Sequence, residues 1–428
     1  MARKRLPLEW RIGLLLMLAA SFFMSGFFDS LVIQVMGERQ VSREIRIAVA
    51  VGLAGLLGMM ALVSFFATVP RDYAARERPA FEWPLKIFLL LTPFWAVAGF
   101  INQWPVTYVM GDVFLLSLLP LTYFTLTRRP LTRPRYVFAW IYGLMLLLAI
   151  VSSCIVFWHN LVGMQKDKMS VDAALVPIFY TMLKASPTLF ELALLPIFVL
   201  AAIITTKRST WAGIIVFVAM ALMLRPGMKR SLRLLLVVGA MGGIVIVVQD
   251  QKPEWIEHAS GLLSYRWEET QEDFSSESGD LGSAAGGRMG EVFGVIDTIQ
   301  ERRNPIDWVT GLGLGAIVQA RGGRERHHIH STPATFLART GLVGLVLWLS
   351  FAFLVLMYII KYARRQHPEW YRVQLYLWLG LWVSMLIFSL KSQAFWGSAV
   401  GGIQLAFIYH VCRMSENLPR VAIDEPAA

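Results

Sequence analysis

Long apolar runs separated by short charged connectors recur along the chain from residue 10 to residue 412. A membrane-crossing helix needs about 20 apolar residues, so runs of about 17–25 read as spans. They fall at 12–28, 45–69, 85–101, 106–126 and 137–158. A shorter, proline-broken pair follows at 171–185 and 187–205, then runs at 211–224 and 232–248. After a long polar segment come 341–360, 373–390 and 395–412. The pattern predicts an all-α polytopic membrane protein of about twelve transmembrane helices. Runs of this length suit helices, whereas barrel strands are shorter and alternate. Broken spans like those between 170 and 224 either line a cavity or reflect irregular packing.

The polar segment divides the chain. Residues 1–249 form a bundle of about nine spans, 250–340 a loop region with short helices, 341–412 a further three spans, and 413–428 a tail. Within the loop, 254–263 is expected to lie along the membrane surface through Trp255, Ile256, Leu262 and Leu263. Residues 268–287 are acidic and then rich in Gly, Ser and Ala, and read as a loop. Apolar residues at 292, 293, 296 and 299 give a helical stripe over 289–303. The glycine-rich stretch 308–315 reads as a tight turn.

Composition agrees with a membrane bundle: 56% of residues are hydrophobic and there are 15 Trp. A net charge of +11 would fit a nucleic-acid partner, but its distribution excludes that reading. Residues 250–327 hold 14 acidic and 8 basic residues, so this region is negative. The excess of Lys and Arg lies in connectors at 3–11, 71–78, 128–135, 225–233 and 361–372. By the positive-inside bias these connectors are cytoplasmic, as are both termini. Residues 250–340 then face outward, into the periplasm of a Gram-negative cell. The basic start followed by an apolar run imitates a signal peptide, but the run continues past its small residues and reads as an uncleaved first span. Cys154 and Cys412 lie toward opposite sides, so neither a disulfide framework nor a cysteine metal site is expected.

Three outward motifs carry candidate chemistry. In TKRST, residues 206–210, Lys207 and Arg208 stand against the charge bias beside helix-capping Ser209 and Thr210. They read either as cations reaching headgroup phosphates or as an anion site at a helix start. In GSAAGGRMG, residues 282–290, Arg288 follows two glycines that let backbone approach closely. Its planar fork suits bidentate contact with phosphate oxygens, although a solvated loop arginine is the plainer reading. His330 precedes Ser331 and Thr332, which can cap a helix, and Pro333, which suits its first turn. It is either a packing residue at that helix start or a general base. An imidazole near two arginines stays neutral at pH 7 and can accept a proton. His327 and His328 adjoin it, but no third metal ligand sits at a recognised spacing, so no metal is expected. Asp29 is a fallback acid or base. No nucleotide fingerprint and no Asp-x-Asp pair are present.

Taken in order, these segments resemble the O-antigen ligase / polysaccharide polymerase superfamily of bacterial membrane glycosyltransferases. The shared features are the basic motif at 206–210, the Gly-Arg at 287–288, the Trp308 to Gly315 segment, and His330-Ser331 with glycines eleven and fourteen residues after the histidine, Gly341 and Gly344. Two departures stand out. Ala334 occupies a position usually bulky, and Lys-Arg-Ser replaces the commoner Ser-Arg, so Lys207 can share the role of Arg208. The resemblance implies a GT-C-like, metal- and cofactor-independent inverting transferase of the inner membrane. Its donor would be a glycan on undecaprenyl diphosphate and its acceptor a sugar hydroxyl on the lipid A core or on a growing glycan. Arg208 and Arg288 would clamp the diphosphate with help from Lys207 and His328, and His330 would activate the hydroxyl. A ligase is preferred to a polymerase because one large outer loop and about twelve spans suit it. A transporter of lipid-linked sugars or of a small anion is the reading from a different class. It would explain broken spans and outward arginines, but no inverted repeat is visible.

Overall fold

The computed structural model describes residues 9–15, 78–131, 133–161, 174–204, 286–320, 324–327, 331–365, 367–389 and 399–416, with single or few residues at 214–216, 218–220, 223, 261, 264 and 329. The spans expected at 45–69 and 232–248, most of those at 12–28 and 211–224, and the surface segment 254–263 lie outside these, save for helical residues at a few positions. The described chain is mostly helical. In order it forms α1 (Glu82–Ile101), α2 (Val106–Leu126), α3 (Pro134–Leu161), α4 (Leu175–Leu183), α5 (Leu189–Ile204), α6 (Gly286–Glu301) and α7 (Pro305–Thr310). Strands β1 (Val318–Ala320) and β2 (Arg324–Arg326), then α8 (Thr332–Ala363), α9 (Glu369–Ser389) and α10 (Ala399–Glu416), complete it. A further helical piece covers 9–15. Among the described residues four helices, α1, α2, α3 and α8, are long and apolar enough to cross a membrane.

Five helices close a ring. α1 packs on α2, α2 on α10, α10 on α9, α9 on α8, and α8 back on α1. Aromatic side chains fill it: Phe81, Tyr123, Phe351, Trp382 and Tyr409 are almost fully buried. The α2–α10 crossing is tight because Gly402 lies under the Leu119 carbonyl, where an added Cβ would approach to 2.7 Å. α3, α4 and α5 pack on one another, with α4 also against α9. At 9 residues α4 is about 14 Å long, too short to cross a bilayer, so the described residues of the span expected at 171–185 do not form one.

α8 carries the largest departure from regular helix. Gly341 adopts φ 64°, and the helix bends there. The 22 residues beyond it are long enough, at about 33 Å, to cross the hydrocarbon. The apolar run read from the sequence begins at this bend. The preceding turns, from Thr332, lie before the run and form the helix start that Ser331, Thr332 and Pro333 signal.

The ring's two ends differ in charge. Phe81 touches Tyr123 and Tyr358, which brings the start of α1, the end of α2 and the end of α8 together. The basic residues Arg78, Arg128, Arg129 and Lys361 belong to that end. The other end holds the α1–α2 turn, α6, α7, the β1–β2 hairpin and the start of α8.

Candidate functional site

Residues 311–316 run through the second end of the ring as a bent and turning chain, every one of them buried. A buried peptide must satisfy its polar groups internally, and this one is met from three helices. Leu312 N–H donates to Ala338 O of α8 at 2.7 Å, and Leu314 N–H to Trp95 O of α1 at 3.0 Å. Leu312 O accepts from Asn102 Nδ2 at 2.9 Å and Trp104 Nε1 at 2.8 Å. Gly315 N–H donates to Asp112 Oδ2 of α2 at 2.7 Å. Gly311, Gly313 and Gly315 all have positive φ, and a Cβ on Gly311 would meet the Gly341 and Thr340 nitrogens at 2.5 Å. The segment is therefore a buried strap wedged between helices, and its bend at 312 and turn at 314–315 agree with the tight turn its glycines imply. Only glycine passes so close to backbone in these conformations.

Asp112 and Arg339 form the polar centre under this strap. Arg339 Nε lies 2.8 Å from Asp112 Oδ2, and both side chains are buried. Arg339 also donates to His327 O at 3.1 Å. The His327 ring stands 3.7 Å from Asp112 Oδ1 and stacks on Tyr108 with centroids 4.1 Å apart. Burial first, and then the Arg339 charge, push the His327 imidazole below its ordinary value against the pull of Asp112. His327 is thus neutral at pH 7. Its Nδ1 lies 3.4 Å from Ala316 O.

The residues around His330 are fixed to α8. Ser331 caps the helix, its Oγ accepting from Ala334 N–H at 3.5 Å. Thr335 Oγ1 donates to Ser331 O at 2.8 Å and lies 3.2 Å from Ile329 O. A second apolar core, including Val295, Ile299, Leu312, Val318 and Ile329, ties α6, the strap and the hairpin to the start of α8. The packed stripe of α6 is Val292, Val295 and Ile299, while Phe293, expected to face inward, is exposed.

Lys207, Arg208, His328, His330 and Asp29 lie outside the described residues. Arg288 falls in the first turn of α6, not in the loop before it, and its side chain lies outside the described residues. Convergence of these groups is thus not part of the observed geometry. Among the described residues, no group of three or more His, Cys, Asp or Glu is arranged to hold a metal ion. Cys154 is exposed and Cys412 buried, and both are free.

The sequence reading missed Asp112 and Arg339. Their signal was present: Asp112 is a lone charge within the apolar run 106–126, Arg339 stands two residues before the run that starts at 341, and such charges pair inside the bundle and mark functional sites. No family model matches this chain, and neither does any curated protein.

Proposed function

We propose that this chain is a metal-independent, inverting membrane glycosyltransferase, a GT-C-like bundle of about twelve helices in the bacterial inner membrane. It moves a glycan from undecaprenyl diphosphate to a sugar hydroxyl at the periplasmic face, most simply as an O-antigen ligase acting on the lipid A core. The observation that carries the reading is the placing of His327, Ile329 and Ser331. They sit at the capped start of α8, over a buried ion pair, at the end of the ring away from the basic connectors. The positive-inside bias puts that end outside the cytoplasm. The glycines of the resemblance have physical grounds here as well. Gly341 lies under Val309, and Gly344 leaves no room for a Cβ beside Thr340.

In this mechanism the acceptor oxygen bonds to the anomeric carbon as that carbon's bond to the diphosphate breaks. His330 takes the hydroxyl proton, and Arg208 and Arg288 stabilise the charge on the departing diphosphate. Lys207 and His328 assist at the same headgroup. The lipid diphosphate is already a good leaving group, so charge stabilisation and one base suffice.

Alanine at Arg288 or His330 should reduce glycan transfer about a hundredfold or more while the protein remains folded and inserted. Full transfer by either variant removes that residue from the mechanism. A deletion strain separates the readings. Core without long chains, with polymerised lipid-linked glycan accumulating, indicates the ligase. Single-repeat glycans indicate a polymerase, and normal glycan with lost uptake or export indicates a transporter.

A further inference from the structure

α7 is a six-residue helix with one apolar face left exposed among the described residues. Asn304 caps it, its side chain accepting from Ile306 N–H at 3.2 Å, and Pro305 opens it. Asp307 is buried against the protein, whereas Ile306 is 61% and Val309 48% exposed. These two residues are not an isolated patch. α8 exposes Leu342, Val346, Leu349, Phe353 and Met357, which follow helical spacing along one side. α1 exposes Leu90, Phe94, Val97 and Ile101 in the same manner. Helices of this length and composition meet lipid with such stripes. α7 packs on α8 at Gly341, the upper limit of the α8 stripe, so its apolar face continues a lipid-facing surface.

Arg302 and Arg303 come directly before α7, and both are exposed. Arg302 donates to Asn102 Oδ1 at 3.1 Å, lies 3.7 Å from Asp307, and stands over the Trp104 ring at 5.6 Å. It thereby fastens the start of α7 to the α1–α2 turn. Arg303, at φ 54°, turns the chain into α7. Cations beside an indole, just above an apolar face, match the layering of the headgroup zone.

We propose that α7 is an interfacial anchor docked on bilayer phospholipid. Ile306 and Val309 enter the acyl region of one leaflet, and Arg302 and Arg303 lie among the phosphates. Because Gly311 follows α7 directly, the depth of α7 fixes the height of the buried strap relative to the membrane. This inference stands apart from the proposed glycosyl transfer and needs no glycan.

The test uses the full chain in nanodiscs of phosphatidylcholine and phosphatidylglycerol, with Cys154→Ser and Cys412→Ala as background. Single nitroxide labels are placed at Ile306→Cys, Val309→Cys and Arg303→Cys, with Leu342→Cys and Leu349→Cys as depth standards. Collisions with oxygen report the acyl region, and collisions with a water-soluble nickel chelate report the aqueous side. The expected result is oxygen-favoured labels at 306 and 309, as shallow as 342 and shallower than 349, with a nickel-favoured label at 303. Nickel-favoured labels at 306 and 309 would overturn the proposal. So would labels shielded from both reagents, which would mean that protein covers the face. Should one variant fail to insert, the other α7 position gives the same reading.

Discussion

Each end of the five-helix ring holds a buried carboxylate, and the two are held in different ways. Glu82 opens α1 at the basic end. It accepts from the Tyr123 hydroxyl at 2.9 Å and lies 3.4–3.5 Å from Arg78 and Lys86, neighbours on its own stretch of chain whose side chains are 34% and 47% exposed. Asp112 sits in α2 at the opposite end. Its cation, Arg339, is as buried as itself, and it also accepts from Gly315, 203 residues away in sequence. Glu82 thus joins the start of α1 to the end of α2, with water reaching its two cations but not the carboxylate itself. Asp112 joins a helix of the first half of the chain to two segments of the second. A carboxylate's weight in a bundle follows from how far apart in sequence its partners lie, and from whether water can replace them.

The sharpest way to break this comparison is to neutralise each carboxylate. Asp112→Asn leaves the Arg339 guanidinium buried without its counter-charge, and the expected loss is about 3–5 kcal/mol. Glu82→Gln keeps an acceptor for Tyr123 and releases cations that water can serve, so about 1 kcal/mol is expected. SDS-induced unfolding in mixed micelles measures both, and equal losses would refute the contrast. The double variant D112N/R339M should recover part of the loss, since it removes both charges together.

Glycines sharpen the same contrast. Gly99→Ala drives a Cβ into Leu314 O, and Gly341→Ala places one against Val309 at a positive φ. Each should cost about 1–3 kcal/mol in the same assay. Gly143, in α3, has nothing within 4 Å of its added Cβ. Gly143→Ala should therefore be neutral or stabilise by up to about 1 kcal/mol. A destabilising Gly143→Ala would show that this face of α3 is packed rather than open.

The smallest effect is a pH dependence at the Asp112 end. The unfolded His327 imidazole titrates near 6.5, and the folded one lies lower. Between those values the unfolded state binds more protons, so stability falls with falling pH. The contribution is complete above about 6.5 and is lost as pH drops toward the folded value. Tyr108, Asp112 and Arg339 face the ring. His327→Gln should flatten melting temperature between pH 7 and pH 5 relative to the parent. An unchanged slope would place the proton uptake elsewhere.

What the sequence disclosed follows the reach of each signal. Val106–Leu126 could be read to the residue, because Pro105 fixes its start and its apolar run is unbroken. The bend at Gly341 was legible only as the start of a run. Its cause, contact with α7 and the strap, is tertiary. Gly311–Gly315 was legible as a turn but not as a buried one, because glycine marks both turns and close backbone passage, and periodicity does not tell them apart. Asp112 was visible as a charge in an apolar run and Arg339 as one at the mouth of another, but nothing local says that two such charges meet. The same holds for the residues at 207–208, 288 and 328–330, whose types point to diphosphate and proton chemistry without fixing their separation.

The buried strap also dictates an order of assembly. α1 and α2 leave the ribosome some 200 residues before residues 311–316, and α8 follows immediately after. The early helices must therefore reside in the lipid with Asp112 awaiting its partners until some 200 further residues have been made. Biogenesis of this end is a late event, after insertion, and a chain stalled before α8 would be embedded yet never completed.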